Sequence, residues 1–449
     1  MKDGFKADHF GSDRDFAKTG AGEAPGVISP MTATLPARAW IVAPETAKVF
    51  AALEAEGGPD VARFVGGCVR DALLGRDGPE TDIDLATRLS PDRVETAIRR
   101  AGLRFIPTGA DHGVATVISG GRSFEVASLR RDVETDGRRA VVAYTDRWEE
   151  DAARRDFTMN ALYADRTGRL FDPVGTGIED ARAGRVVFVG DPRQRIQEDY
   201  LRTLRFFRFF ARYGQGAPDG AALAACAELK DGLAGLSGER VSKEMLKLLA
   251  ADNPVEAVRL MRETGVLAAL LPEVKDLWRF EHLVEIESDL LFSCDPLLRL
   301  AALLPDAVKA VEAAARRLKL SNAERDRLVG ACSDKVRIVS WLSPREMRRA
   351  IWLLGAQRVK DRALLGWAAT RGTVSAPQWR MLMVYPDTWT APEFPVTGEE
   401  IKKAGVPEGP LIGAVRREIE AWWLDLDFTS DRMAVIERLK SVVAGLCDL

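Results

Sequence analysis

Between Arg63 and Arg88 the chain reads RFVGGCVRDALLGRDGPETDIDLATR, an order of residues that leaves few folds open. Apolar Phe64 and Val65 run as a strand into Gly66-Gly67, and a helix carrying Arg70 and Asp71 follows. A second strand then brings Asp82-Ile83-Asp84, with Leu85 and Ala86 behind it. Side chains alternate along a strand, so Asp82 and Asp84 project to one face while Ile83 points into the core. Neighbouring carboxylates repel each other, a divalent cation between them relieves the repulsion, and hard oxygen ligands suit Mg²⁺. Glycines ahead of a helix let backbone N–H groups approach an anion, to which the helix N-terminus adds partial positive charge. Gly66, Gly67, Arg70 and Asp71 are thus candidate nucleotide-binding residues beside a candidate catalytic and metal-holding pair, Asp82 and Asp84. Taken singly, a glycine pair reads equally as a turn, and the acidic pair as a solvated strand end.

The chain of 449 residues has room for about two to four domains. A net charge of -3 gives no global basic signature, so a nucleic-acid partner would need a local patch. Five scattered cysteines, Cys68, Cys226, Cys294, Cys332 and Cys447, contain no CxxC and argue for reduced thiols and a cytoplasmic location. Three histidines, His9, His112 and His282, are too few for a His-rich metal hydrolase. No run approaches the roughly 18 apolar residues of a membrane span, so no membrane partner is expected. Residues 1–30 lack an apolar signal-peptide core and read as a disordered extension.

Residues 44–56 and 90–101 read as helices, and short β-like runs follow at 104–107, 114–118 and 124–129. On the last of these, Glu125 faces away from Phe124 and Val126, either as a third catalytic carboxylate or as a plain surface glutamate. The charged stretch from Asp132 to Trp148 has no firm period and reads as a mobile loop. Arg154-Arg155-Asp156-Phe157-Thr158-Met159-Asn160 then supplies donors and acceptors suited to a ribose and a triphosphate, although Asp156 reads equally as a helix cap. Residues 170–196 read as short strands and turns. From Gln197 the pattern is helical, with Asp199, Arg202, Arg205 and Arg208 three residues apart. One reading makes Asp199 and Arg202 a surface ion pair; another makes them a hydrogen-bonding edge for a nucleobase. Beyond Ala217 nearly everything is helical, and residues 301–360 hold 13 Lys+Arg against 6 Asp+Glu, a candidate RNA-binding surface.

Taken in order, GGCVRD…DID, RRDFTMNA, EDYLR and GERVSKE resemble the motifs of class II tRNA nucleotidyltransferases and poly(A) polymerases, a branch of the DNA polymerase β-like nucleotidyltransferase superfamily. The resemblance implies an α+β chain: a mixed α/β catalytic head with a small β-sheet over 31–190, then an all-helical region. That region would divide into a base-recognition neck over 191–271 and a tRNA-binding body and tail over 272–449. It further implies addition of C, C and A to the tRNA 3′ end from CTP and ATP, with Mg²⁺ held by Asp82 and Asp84. Arg155, Asp156 and Asn160 would contact phosphates and ribose, Asp199 and Arg202 would select the base, and Arg205 and Arg208 would lie nearer the phosphates. Poly(A) polymerases of the branch typically have proline where Tyr200 stands, which favours CCA addition. Addition of A alone, and a non-catalytic RNA-binding protein on the same scaffold, are the alternatives. No histidine follows His282, so the phosphohydrolase domain of some relatives is not expected. No sequence feature fixes an oligomeric state.

Overall fold

Ala62–Val65 is an apolar run interrupted only by Arg63, and it forms β1, buried along its whole length. A strand covered on both faces needs such a run. Arg63 is tolerated because its guanidinium lies 3.6 Å from the Phe171 ring centroid and 4.3 Å from that of Trp148, with Asp60 accepting its hydrogen bonds. The computed structural model describes residues 33–447 apart from 110–112, 137–138, 289–291, 333–335 and 371–375. The extension over residues 1–30 and His112 lie outside the described residues.

Helices α1 (Ala39–Val42) and α2 (Pro44–Gly57) precede β1; α3 (Gly67–Leu73), β2 (Ile83–Thr87), α4 (Pro91–Arg100), β3 (Arg104–Gly109), β4 (Val114–Ser119) and β5 (Arg122–Ser128) follow. Next come β6 (Arg130–Asp136), β7 (Arg139–Tyr144), α5 (Trp148–Ala153), β8 (Tyr163–Ala164) and β9 (Leu170–Phe171). Seven strands form one sheet in the order β3-β4-β5-β2-β1-β8-β9. Only β2 and β5 pair in parallel, and their register sets Asp84 opposite Glu125. Helices α6 (Gly177–Ala183), α7 (Pro192–Glu198), α8 (Leu201–Tyr213), α9 (Gly220–Glu228) and α10 (Gly238–Leu249) lead into a region in which every described element is helical. The α+β architecture is the expected one.

Three local expectations differ from the structure. The stretch read as a loop is the β6–β7 hairpin, with a register shift between Asp132 and Glu134 that hides its alternation in the sequence. Residues 170–196 carry α6 and the start of α7 besides a short strand. The helix expected from Gln197 is broken: Asp199 is extended (φ -154°, ψ 105°), ending α7 before α8 begins. Its carboxylate accepts from the Leu201 N–H at 3.1 Å, an Asx turn that leads into α8 and leaves this aspartate outside the helix rather than on its face.

An aromatic seam sets α8 against the head. Phe157 lies 4.9 Å from Phe188 and 5.0 Å from Phe209, and Phe206 and Phe207 are fully buried beside them. One hydrophobic core runs from Leu35 to Leu382, and a second gathers residues between Val396 and Val443. The basic run over 301–360 is less available than its composition suggests. Arg317 pairs with Glu273, Arg327 with Asp295 and Asp361, Arg348 with Asp427, Arg349 with Asp425 and Lys360 with Asp387.

Arg299, 2% exposed, ties α10 to the helices that follow. Its Nε donates to Glu287 at 2.5 Å and its Nη1 to the carbonyls of Leu249 and Ala251 at 2.6 and 2.5 Å. Breaking such a pair leaves an uncompensated buried charge, so Arg299→Met should cost about 3–5 kcal/mol in chemical denaturation. Adding Glu287→Leu should return much of that loss; a double variant as unstable as the sum of the two singles would refute the pairing.

Candidate active site

Gly66 turns β1 into α3 with φ 71° and ψ -123°, a conformation that excludes side chains. Arg155 Nη1 lies 3.6 Å from where a Cβ would stand, an ordinary contact, so it is the backbone conformation and not crowding that calls for glycine here. Arg70, 6% exposed, is fixed by three groups: its Nη1 donates to Asn160 Oδ1 at 2.5 Å, its Nη2 to the Tyr213 hydroxyl at 2.6 Å and its Nε to Asp71 at 2.9 Å. Tyr213 closes the arrangement by donating to Asp71 at 3.0 Å, which joins the end of α8 to α3.

On β2 Ile83 is buried and Asp84 half-buried, while Asp82, immediately ahead of the strand, is exposed. Burial, then the charges of Glu125 and Asp82, push the Asp84 carboxyl up to about 6 against the pull of Arg155 and Arg70. Among the described residues no group of three or more His, Cys, Asp or Glu side chains could hold a metal ion. Glu125 stands opposite Asp84 in the β2–β5 register, and its charge is one of those that raise the Asp84 carboxyl. Two repelling hard-oxygen ligands nevertheless fit Mg²⁺, which takes one or two carboxylates and fills its remaining positions with phosphate and water. Cys68 is no nucleophile: burial and Asp84 push its thiol up to about 12.

The next motif is held by a residue that the sequence did not single out. Asp151, 1% exposed, accepts from Arg154 at 2.6 Å, Arg155 at 2.9 Å and the Tyr163 hydroxyl at 2.7 Å. Burial alone would raise its carboxyl, yet Arg155 and Arg154 hold it well below the usual range. Asp156 accepts from the Phe157 N–H and Asn160 Nδ2, both at 2.9 Å, and from Arg205 Nε at 2.8 Å. Burial opposes its ionisation, but Arg205 and Asn160 hold it down at about 2. Arg208 donates to Glu244 of α10 at 2.5 Å.

These groups surround a cavity of about 700 Å³ between the head and helices α8 and α10. Every candidate residue lines it except Glu125, Asp199 and Arg202. Asp199 accepts from Arg240 of α10 at 2.7 Å, while Arg202 donates to Glu198 at 2.5 Å and to the Arg154 carbonyl at 3.0 Å. Arg76, Phe209, Arg212 and Lys247 line the cavity without having been singled out. Arg212 was within reach, lying four residues past Arg208 on the same helix; Lys247 and Arg76 carry no sequence signal.

The pattern describing the Poly A polymerase head domain matches residues 62–187, and that described as probable RNA and SrmB- binding site of polymerase A matches 218–277. The mitochondrial CCA tRNA nucleotidyltransferase 1 of Mus musculus is 33% identical over 391 residues, spanning 84% of this chain and 86% of the relative. The CCA-adding enzyme of Geobacillus thermodenitrificans is 40% identical over 215 residues, 47% of this chain and 50% of that one. The crystal structure of the Bacillus stearothermophilus CCA-adding enzyme in complex with CTP superposes with a TM-score of 0.70 at 25% identity, covering 90% of this chain and 99% of that one. The chain belongs to the class II tRNA nucleotidyltransferase and poly(A) polymerase family.

Proton counting gives the Asp84 shift a measurable consequence. The folded chain keeps this proton up to about pH 6, whereas the unfolded chain releases it near 3.8. Unfolding therefore releases a proton between those values, and stability falls as pH rises through the window. Without divalent ions, Asp84→Asn should be more stable than the parent above pH 6, and the gap should close by about pH 4. Mg²⁺ should stabilise the parent alone. Melting curves across pH, with chelator and with Mg²⁺, measure this; a gap independent of pH would contradict the assignment.

Proposed function

We propose that the chain is a CCA-adding tRNA nucleotidyltransferase, joining C, C and A to the tRNA 3′ end from CTP and ATP. The observation that carries this reading is one cavity holding the Asp82–Asp84 pair, the Gly66 turn and the guanidinium groups of Arg70 and Arg155. The mouse relative, matched over most of both chains, carries the activity in its name.

Asp82 and Asp84 would hold Mg²⁺, which when bound supplies charge for the triphosphate and acidifies the attacking hydroxyl. The backbone at Gly66 and Gly67, with Arg70 and Arg155, neutralises phosphates. Asp156 and Asn160, locked to Arg205 and Arg70, shape the ribose side. The tRNA 3′-oxygen bonds to the α-phosphorus in line, the bond to the β-phosphate oxygen breaks and pyrophosphate leaves. Asp199 and Arg202 select the base. The carboxylate accepts from the exocyclic amino group that cytosine and adenine share. For this the base edge must displace Arg240 from Asp199.

In this reading the head ends at 190, the neck at 271, and the tRNA-binding body and tail follow. A cytoplasmic location is supported by free thiols at Cys68, Cys226, Cys294 and Cys332. Among the described residues, no helix is long and apolar enough to cross a membrane.

Incubation with tRNA lacking its 3′ end, Mg²⁺ and each nucleotide singly and together should give addition that stops after C, C and A. A long A tail with ATP alone would make the chain a poly(A) polymerase. Asp84→Ala should abolish transfer while tRNA binding persists. Arg240→Ala, which removes the partner that the base amino group must displace, should raise kcat/KM for CTP relative to UTP and GTP by roughly fivefold, the scale of one hydrogen bond of about 1 kcal/mol. Unchanged selectivity would remove Arg240 from the template.

A further inference from the structure

Seven cationic side chains line the cavity, and their partners divide them. Arg70 pairs with Asp71, Arg155 with Asp151, Arg205 with Asp156 and Arg208 with Glu244. Arg76, Arg212 and Lys247 have no carboxylate within 4.0 Å among the described residues, and all three are exposed. They come from three elements: the loop after α3, the last turn of α8 and the last turn of α10. Arg76 Nη1 donates to the Arg212 carbonyl at 2.5 Å, which sets the first two side by side.

We propose that Arg76, Arg212 and Lys247 form a rim that binds backbone phosphates of the RNA acceptor strand as it enters the cavity, an inference that rests on the nucleotidyl-transfer reading. Two polyanions must share this cavity, the triphosphate and the RNA 3′ end. The first needs fixed geometry beside Asp82 and Asp84, which buried Arg70 and half-buried Arg155, each held by several hydrogen bonds, provide. The second moves by one nucleotide after each addition. Long exposed side chains whose charge no carboxylate neutralises can follow such a strand, because they make charge contacts that read no base. The paired arginines of the 301–360 region keep less charge available for phosphates, which makes three unpaired cations at the reaction cavity the better-placed contact.

Steady-state kinetics on tRNA ending at its discriminator base test this with the triple variant Arg76→Ala, Arg212→Ala, Lys247→Ala. KM for tRNA should rise at least tenfold while KM for CTP stays within twofold of the parent. The salt slope of tRNA binding, measured by anisotropy without nucleotide, should fall by about two, at about 0.7 per single-strand contact. Neutral methylphosphonate linkages in the last two positions should weaken binding to the parent but not to the variant. Arg212→Lys, which keeps the charge, should retain parental KM for tRNA. A higher KM for CTP with an unchanged one for tRNA would assign these cations to the triphosphate, and no change in either would remove the rim. A parent protein that binds tRNA yet adds no nucleotide would sink the proposed function, while the anisotropy comparison would still decide the rim.

Discussion

The charge of Asp156 is buried in the head and met by Arg205 from the neck helix. Asp156 does not tolerate loss of Arg205, because a lone buried carboxylate is strongly destabilising. The pair therefore fixes how α8 lies on the sheet, and the Phe157–Phe209 contact fills the space beside it with apolar surface. From this pair polar contacts continue both ways. Asn160 bonds both Asp156 and Arg70, and Glu244 lies 3.9 Å from Arg205 and accepts from Arg208. A single polar network thus spans the cavity from the glycine turn to α10. Fully satisfied networks of this kind hold one geometry, which two domains acting on one nucleotide require.

What could be read in the sequence was what local chemistry dictates. The glycine turn, the alternation around Ile83 and the helical periodicity beyond Ala217 each follow from a few adjacent residues. Contacts across sequence distance were not legible. Asp151 looks like one more acid in WEEDAA, and only the fold shows it locked between two arginines and Tyr163. The break at Asp199 was hidden because the residues on either side favour helix. Tyr200 explains part of it: its ring packs so closely on Gly232 that a Cβ there would collide with it. The basic run over 301–360 was correctly counted but could not be judged, since several of its partners, Glu273, Asp425 and Asp427 among them, lie outside it.

The helix break also bears on how a protein can stand in for a template. On a continuous helix, Asp199 and Arg202 would each point where helical geometry sends them, and their separation would be fixed. At a break, Asp199 is oriented by two bonds instead: Oδ1 takes the Leu201 N–H and Oδ2 takes Arg240. The first belongs to the backbone and persists. The second is a partly exposed ion pair, weak enough to exchange for a base amino group. Under the proposed role of Asp199 in base selection, a carbonyl oxygen in that place would face the carboxylate unpaired, so uracil and guanine would lose the contact and meet repulsion. Discrimination would then rest on one exchangeable partner, with Arg240 keeping the carboxylate oriented between substrates.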